Sequence, residues 1–132
     1  MTKSIKAFSL LEMIFAIVII GIIASVALPK LFNTKNDALV STLKQDIVTV
    51  TSAVQSYYLI NSHLDKIEET VTLNSSLWQI EDQKITYLEK EQECVTIQLN
   101  SSILEVNIYK DVGTICQKLY DSGIRDNSYT LN

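Results

Sequence analysis

The chain of 132 residues contains few of the residue types from which enzyme sites are usually built. It has three glycines, one proline, one histidine and two cysteines. The glycines do not cluster, which excludes a glycine-rich phosphate-binding loop, and the single histidine excludes a metal site built on several imidazoles. Asp111, Asp121 and Asp126 do not have the spacing of a calcium-binding loop. We therefore expect a protein that is not an enzyme and that uses no cofactor or metal.

Basic residues are also too few to form a broad positive surface. The sequence has 11 lysines and arginines against 15 aspartates and glutamates, which gives a net charge of −4. This composition disfavours nonspecific binding to nucleic acid or to anionic lipid. Nucleic acid is therefore not among the partners that we expect.

What the sequence has instead is one long apolar run near its N-terminus. The 16 residues from Met13 to Leu28 carry no charge. With residues 8–11 the run reaches about twenty residues, or roughly 30 Å as a helix, which matches one bilayer core. Glu12 interrupts this run, and an unpaired carboxylate in lipid costs about 2–3 kcal/mol. We predict that Glu12 has a partner; the alternative is that it reaches the headgroup region.

A helical pattern continues beyond the apolar run. Apolar residues recur at spacings of three and four, which is typical of one face of an α-helix. They are Leu39, Leu43, Ile47, Val50, Val54 and Tyr57. Pro29 is expected to kink the helix without ending it. We predict one helix over residues 8–61, with 8–32 as a transmembrane and assembly segment and 33–61 as an amphipathic segment.

Residues 62–132 are predicted to form a small globular domain with three or four antiparallel strands. Alternating β-rich residues place strands at 84–88, 94–99 and 103–109, and 129–131 could add an edge strand. Val95, Ile97 and Leu99 should share one face, as should Leu104, Val106 and Ile108 on the next strand. Residues 73–78 are interpreted as a loop and 89–93 as a solvated turn. Thr114 is predicted to cap a short helix that ends at Gly123.

The N-terminal residues resemble a known processing signal. Residues 6–12 read Lys-Ala-Phe-Ser-Leu-Leu-Glu. This stretch resembles the signal of type IV pilins and type II secretion pseudopilins, in which a basic leader and a small residue precede Phe, a few apolar or hydroxyl residues, and Glu. The resemblance covers roughly residues 3–32, and Gly21 and Pro29 fall where that family often softens its helix.

The resemblance implies a role for each of these positions. A prepilin peptidase would remove the leader, residues 1–7, by cutting between Ala7 and Phe8, and Phe8 would then be N-methylated. Ala7 replaces the glycine that the family prefers, and we still expect cleavage because alanine is small. Glu12 would pair with the Phe8 amine of a neighbouring subunit. Gly21 and Pro29 would belong to the same assembly segment.

The resemblance also implies partners and a location. The partners are the prepilin peptidase, an inner-membrane assembly platform, and copies of this chain or sibling pilins. The chain would cross the inner membrane once, with its N-terminus in the cytoplasm and its C-terminal domain in the periplasm, before it enters an extracytoplasmic filament. The implied fold is α+β and pilin-like, with the second half of the long helix packed on the antiparallel sheet.

Two further points remain open at the level of sequence. In an exported domain Cys94 and Cys116 are expected to form a disulfide, similar to the disulfide of many pilins, although two buried thiols are the alternative. The function implied is a structural subunit of a type IV pilus-like or secretion pseudopilus filament. One alternative is a minor pilin with an adhesive or DNA-capturing surface. Another is a soluble periplasmic domain released by ordinary signal peptidase after Ala27.

Overall fold

The computed structural model describes residues 8–132, so the predicted leader and the Ala7 side of the predicted cut lie outside the described residues. The chain divides into two units, Met1–Asn36 and Asp37–Asn132. Helix α1 runs over Leu10–Asn61 and contains Pro29 in its interior. The helix ends at Asn61, where the sequence predicts its end, and it begins two residues after the predicted start at Phe8.

In the first unit, the described side chains from Phe8 to Lys35 are all exposed. Most of them are large and apolar, such as Leu10, which is 77% exposed, and Ile23, which is 62% exposed. This part of α1 is long and apolar enough to cross a membrane. Because burial of each large apolar side chain contributes about 1.5–3 kcal/mol, the segment requires an apolar environment outside its own chain.

The second unit contains a five-stranded antiparallel sheet in the order β1-β2-β3-β4-β5. The strands are β1 (Trp78–Ile80), β2 (Lys84–Glu89), β3 (Gln92–Asn100), β4 (Ile103–Ile108) and β5 (Asn127–Thr130). A short 3-10 helix covers Ile67–Glu69, and helix α2 covers Thr114–Asp121. The α+β, pilin-like fold class is confirmed.

The sequence predicts three or four strands, fewer than the five observed, because β1 begins at the end of the predicted loop. Trp78 begins this strand and pairs with Tyr87 of β2. The Trp78 side chain is 1% exposed, and its indole N–H donates to Asp46 Oδ2 on α1 at 2.9 Å. A three-residue strand has no alternating pattern of its own, so its pairing with β2 and its contact with α1 define it.

The predicted apolar faces form the core of the second unit. Four stripe residues of α1 are buried, namely Leu43, Ile47, Val50 and Val54, while Leu39 and Tyr57 are half-buried against the core. The cross-strand pairs of β3 and β4 are Val95 with Ile108, Ile97 with Val106, and Leu99 with Leu104. All six of these side chains are buried, as predicted. Burial alternates in β4, whereas β3 also buries Cys94 and Thr96.

The start of α2 differs from the prediction. The N-cap residue is Gly113, not Thr114, and a glycine has no side chain that could cap the helix. The carboxylate of Glu89 at the end of β2 accepts hydrogen bonds from the Ile115 and Cys116 N–H groups, each at 2.9 Å. The predicted solvated turn at 89–93 is therefore too long, since only residues 90 and 91 separate β2 from β3.

Candidate functional site

The candidate site is the first turn of α1, where the chain places a serine and a glutamate three residues apart. Ser9 precedes the helix, and its Oγ accepts the backbone N–H of Glu12 at 3.2 Å. The Ser9 carbonyl oxygen accepts the N–H of Met13 at 3.1 Å. Ser9 is therefore the N-cap of α1, and Ser-x-x-Glu is the spacing of a capping box. This spacing is a signal in the sequence itself that predicts the helix start.

The position of Glu12 in the first helical turn has an electrostatic consequence. The unpaired N–H groups at a helix start carry a partial positive charge, which stabilises a nearby carboxylate by about 0.3–1 kcal/mol. Within residues 8–132, no side chain donates a hydrogen bond or forms a salt bridge to the Glu12 carboxylate. The Glu12 carboxylate is exposed and can accept a cationic donor from a second molecule.

The other polar side chain of the apolar run is satisfied within the helix. Ser25 Oγ donates to the Ile22 carbonyl oxygen at 2.7 Å. Gly21 has no described atom within 4 Å of the position where a Cβ would stand, so its small size leaves open space on the helix surface. Among the described residues of this run, Glu12 is thus the one whose polar side chain has no hydrogen-bond partner within the helix.

A second group of predicted residues lies in the globular unit and forms a structural cluster. Cys94 of β3 and Cys116 of α2 are joined by a disulfide, with their Cα atoms 5.6 Å apart. The Glu89 carboxylate lies beside them, so three potential metal-ligand groups fall within 4.8 Å of one another. The two sulfur atoms are bonded to each other, however, and the carboxylate oxygens accept α2 N–H groups. The cluster therefore attaches α2 to the sheet.

Gly113 belongs to the same structural cluster. A Cβ at this position would overlap the Glu89 carboxylate. The backbone of Gly113 is extended, with φ of −177°, so its conformation is open to any residue. A glycine is needed here because the carboxylate approaches closely, a requirement that the sequence alone did not reveal.

The resolved pKa shifts among the described residues lie in the sheet. The hydrogen bond from Lys84 Nζ to Glu93 Oε1, 3.0 Å long, raises the pKa of Lys84. Burial raises the pKa of Tyr87. Both shifts favour the form already present at neutral pH, so neither group is prepared for proton transfer there.

Comparisons with known proteins find similarity in the N-terminal segment. The family model described as the prokaryotic N-terminal methylation motif matches residues 2–28. The chain is similar to the type II secretion system core protein G of Klebsiella michiganensis, with 39% identity over 67 residues, or 51% of this chain and 47% of the relative. The protein of the same name from Escherichia coli strain K12 is 39% identical over 62 residues, which are 47% of this chain and 43% of the relative.

A third relative, the type II secretion system core protein G of Pectobacterium carotovorum subsp. carotovorum, is 36% identical over 64 residues. These residues are 48% of this chain and 41% of that protein. The chain thus spans less than half the length of the relatives that it matches. No solved structure matches the chain significantly.

Proposed function

Since the chain carries the N-terminal signal of the pilin and pseudopilin family, we propose that it is a structural subunit that assembles into a filament through its N-terminal helix. The observation that carries this proposal is the first turn of α1. There a capped helix start presents the exposed Glu12 carboxylate at the head of an apolar segment that its own chain does not cover. A filament of such helices would provide both an apolar environment and a partner for the carboxylate.

The proposed mechanism depends on the difference between a paired and an unpaired carboxylate. In lipid, the unpaired Glu12 carboxylate costs about 2–3 kcal/mol. Cleavage between Ala7 and Phe8 creates an ammonium group on Phe8. When the ammonium group of a neighbouring subunit approaches Glu12, the two charges compensate each other and the penalty falls. The pairing would thereby draw a subunit out of the bilayer and fix its register against its neighbour.

We further propose the following arrangement of the chain. A prepilin peptidase removes residues 1–7 and Phe8 is N-methylated. Residues 8–61 form the long helix, in which 8–32 cross the inner membrane and 33–61 support the exported domain. Residues 62–132 complete that domain on the periplasmic side, and an inner-membrane platform passes the subunit to copies of itself or to sibling pilins.

A secretion pseudopilus is the filament that the comparisons favour. The relatives are core proteins of type II secretion systems, and the similarity to each extends beyond the length of the signal itself. No described surface specifically favours a minor pilin that binds a host surface or DNA.

Release of a soluble domain after Ala27 is disfavoured by the position of the required cleavage site. Ser25, Val26 and Ala27 lie inside α1, and the Ser25 hydroxyl is bonded to the helix backbone. A peptidase would have to unwind the helix there before it could cut.

Replacement of Glu12 by glutamine tests the proposed pairing. Glutamine also suits the N3 position of a capping box, the position of Glu12, so the variant keeps the helix start and removes the charge. We expect normal membrane insertion, but at least a tenfold loss of incorporation into sheared filaments. The variant removes about 2 kcal/mol of the free energy with which the carboxylate pairs with a neighbouring subunit. Quantitative immunoblotting of filament and membrane fractions measures both quantities.

The matched control is Ser25→Ala, which removes a polar group from the same helix without changing its charge. This variant should insert and assemble as the wild type does. Equal incorporation of Glu12→Gln and Ser25→Ala would contradict the role proposed for the carboxylate.

A further inference from the structure

We propose that Ser9 is a positioning residue for N-terminal processing. Its cap makes α1 begin just after the bond to be cut and keeps Phe8 out of the helix. This inference rests on the proposed function, specifically on cleavage between Ala7 and Phe8. It adds a role for a side chain that neither forms the scissile bond nor belongs to the proposed Glu12 pair.

The backbone hydrogen bonds at the start of α1 carry the argument. In a continuing α-helix, each N–H donates to the carbonyl four residues earlier, so the Glu12 N–H would donate to the Phe8 carbonyl. In the structure the Glu12 N–H donates instead to Ser9 Oγ at 3.2 Å. The first backbone bond of the ladder is then Met13 N–H to the Ser9 carbonyl, at 3.1 Å. Ser9 Oγ thus accepts the Glu12 N–H, which in a longer helix would donate to the Phe8 carbonyl.

The Ser9 hydrogen bond matters because the sequence before Ser9 could itself be helical. Residues 2–8 contain no glycine or proline, and Lys6 and Ala7 are both favourable helix formers. Once a helix is nucleated, each added residue extends it at little cost, so a start signal is needed to stop propagation toward the N-terminus. In the described part of the chain, Ser9 is the residue whose side chain provides that signal.

Processing needs a backbone that is free of the helical ladder. Hydrolysis adds water across the Ala7–Phe8 peptide bond: the C–N bond breaks, Ala7 gains a carboxylate and Phe8 gains an ammonium group. Proteolysis concentrates at exposed segments outside regular structure, where the backbone can take the conformation that a peptidase binds. Phe8 is 74% exposed and precedes the helix by two residues. A peptidase can therefore reach the Phe8 side of the bond, which becomes the new N-terminus.

Cleavage rates of capped and uncapped precursors test the proposal. The full-length precursor, reconstituted in lipid vesicles, is incubated with a purified prepilin peptidase, and the initial rate of product formation is measured. Ser9→Ala should be cut about fivefold more slowly, a factor that corresponds to the roughly 1 kcal/mol typical of a lost N-cap. Ser9→Thr and Ser9→Asn retain a capping oxygen and should be cut within about twofold of the wild-type rate.

Two further measurements separate positioning from a general effect on the protein. Ser25→Ala removes a hydroxyl group from the interior of the same helix, and it should be cut at the wild-type rate. Backbone chemical shifts of the uncut precursor in micelles should show Phe8 and Ser9 as helical in Ser9→Ala and as non-helical in the wild type and in Ser9→Thr. A change confined to overall stability would not move the helix start.

The outcomes that overturn the inference differ from those that overturn the proposed function. If the wild type is cut before Phe8 and Ser9→Ala is cut at the same rate, the inference fails alone. It also fails if Ser9→Thr and Ser9→Asn are as slow as Ser9→Ala, because capping then has no part in the effect. If the wild-type precursor is not cut before Phe8, the proposed function fails, and the inference fails with it.

Discussion

Replacement of Glu89 by glutamine should destabilise the globular unit while leaving the N-terminal segment intact. The two Glu89 carboxylate oxygens accept the N–H groups of Ile115 and Cys116, each at 2.9 Å, in a partly buried position. Glutamine keeps one acceptor oxygen and turns an NH2 group toward the second N–H. A lost charge-assisted hydrogen bond at a helix start costs about 1.5–3 kcal/mol. For a unit of roughly 100 residues this predicts a fall in melting temperature of about 10 °C.

The melting curve is measured on the full-length, oxidised protein in detergent. Fluorescence of Trp78 reports on this unit, since Trp78 is the single tryptophan of the chain and is 1% exposed. The control is Glu91→Gln, which removes the same charge from an exposed residue of the same hairpin. It should change the free energy of unfolding by no more than about 0.5 kcal/mol. Equal melting temperatures for the two variants would refute the reasoning.

Two other substitutions test contacts of the same unit. Gly113→Ala should cost about 2 kcal/mol, because its Cβ would overlap the Glu89 carboxylate, and much less in a Glu89→Ala background. Additive losses in this double-mutant cycle would show that the overlap is not the cause. Asp46→Ala should cost about 1–3 kcal/mol, because it leaves the buried Trp78 indole N–H without its carboxylate acceptor. Chemical denaturation measures that loss, and an unchanged denaturation midpoint would exclude an energetic role for the bond.

The features that the sequence predicted correctly are those with a local period. The apolar run and the stripe through Leu43, Ile47 and Val50 locate α1 because each residue's burial follows from its position in one helix. The alternation in β4 likewise fixes which of its side chains face the core. These signals lie within a few residues of one another and need no knowledge of the rest of the chain.

The features that the sequence did not predict depend on residues that are distant along the chain. Glu89 lies in a charged run that is typical of a solvated turn, yet its role is set by Ile115, which is 26 residues later. Strand β1 is fixed partly by the bond between Trp78 and Asp46, which are 32 residues apart. Thr114 was a reasonable cap by residue type, but the carboxylate of Glu89 already occupies the start of α2.

The role of Ser9 was missed for a different reason. Ser9 and Glu12 form a local Ser-x-x-Glu pattern that predicts a helix start. The charge of Glu12 in an apolar run predicts a partner for its carboxylate outside the chain, whereas the Ser9 bond involves the backbone N–H of the same residue. Glu12 therefore has two separable groups: an N–H bonded to Ser9, and a carboxylate that we propose is bonded to a neighbouring subunit.

The mass of the N-terminal peptide of the mature protein tests the central proposal most directly. The protein is recovered from membranes of cells that contain the prepilin peptidase, digested, and analysed by mass spectrometry. The account predicts a first residue of Phe8 carrying one added methyl group on its amine. A mature protein that begins at Leu28, or one that retains Met1–Ala7, would contradict it.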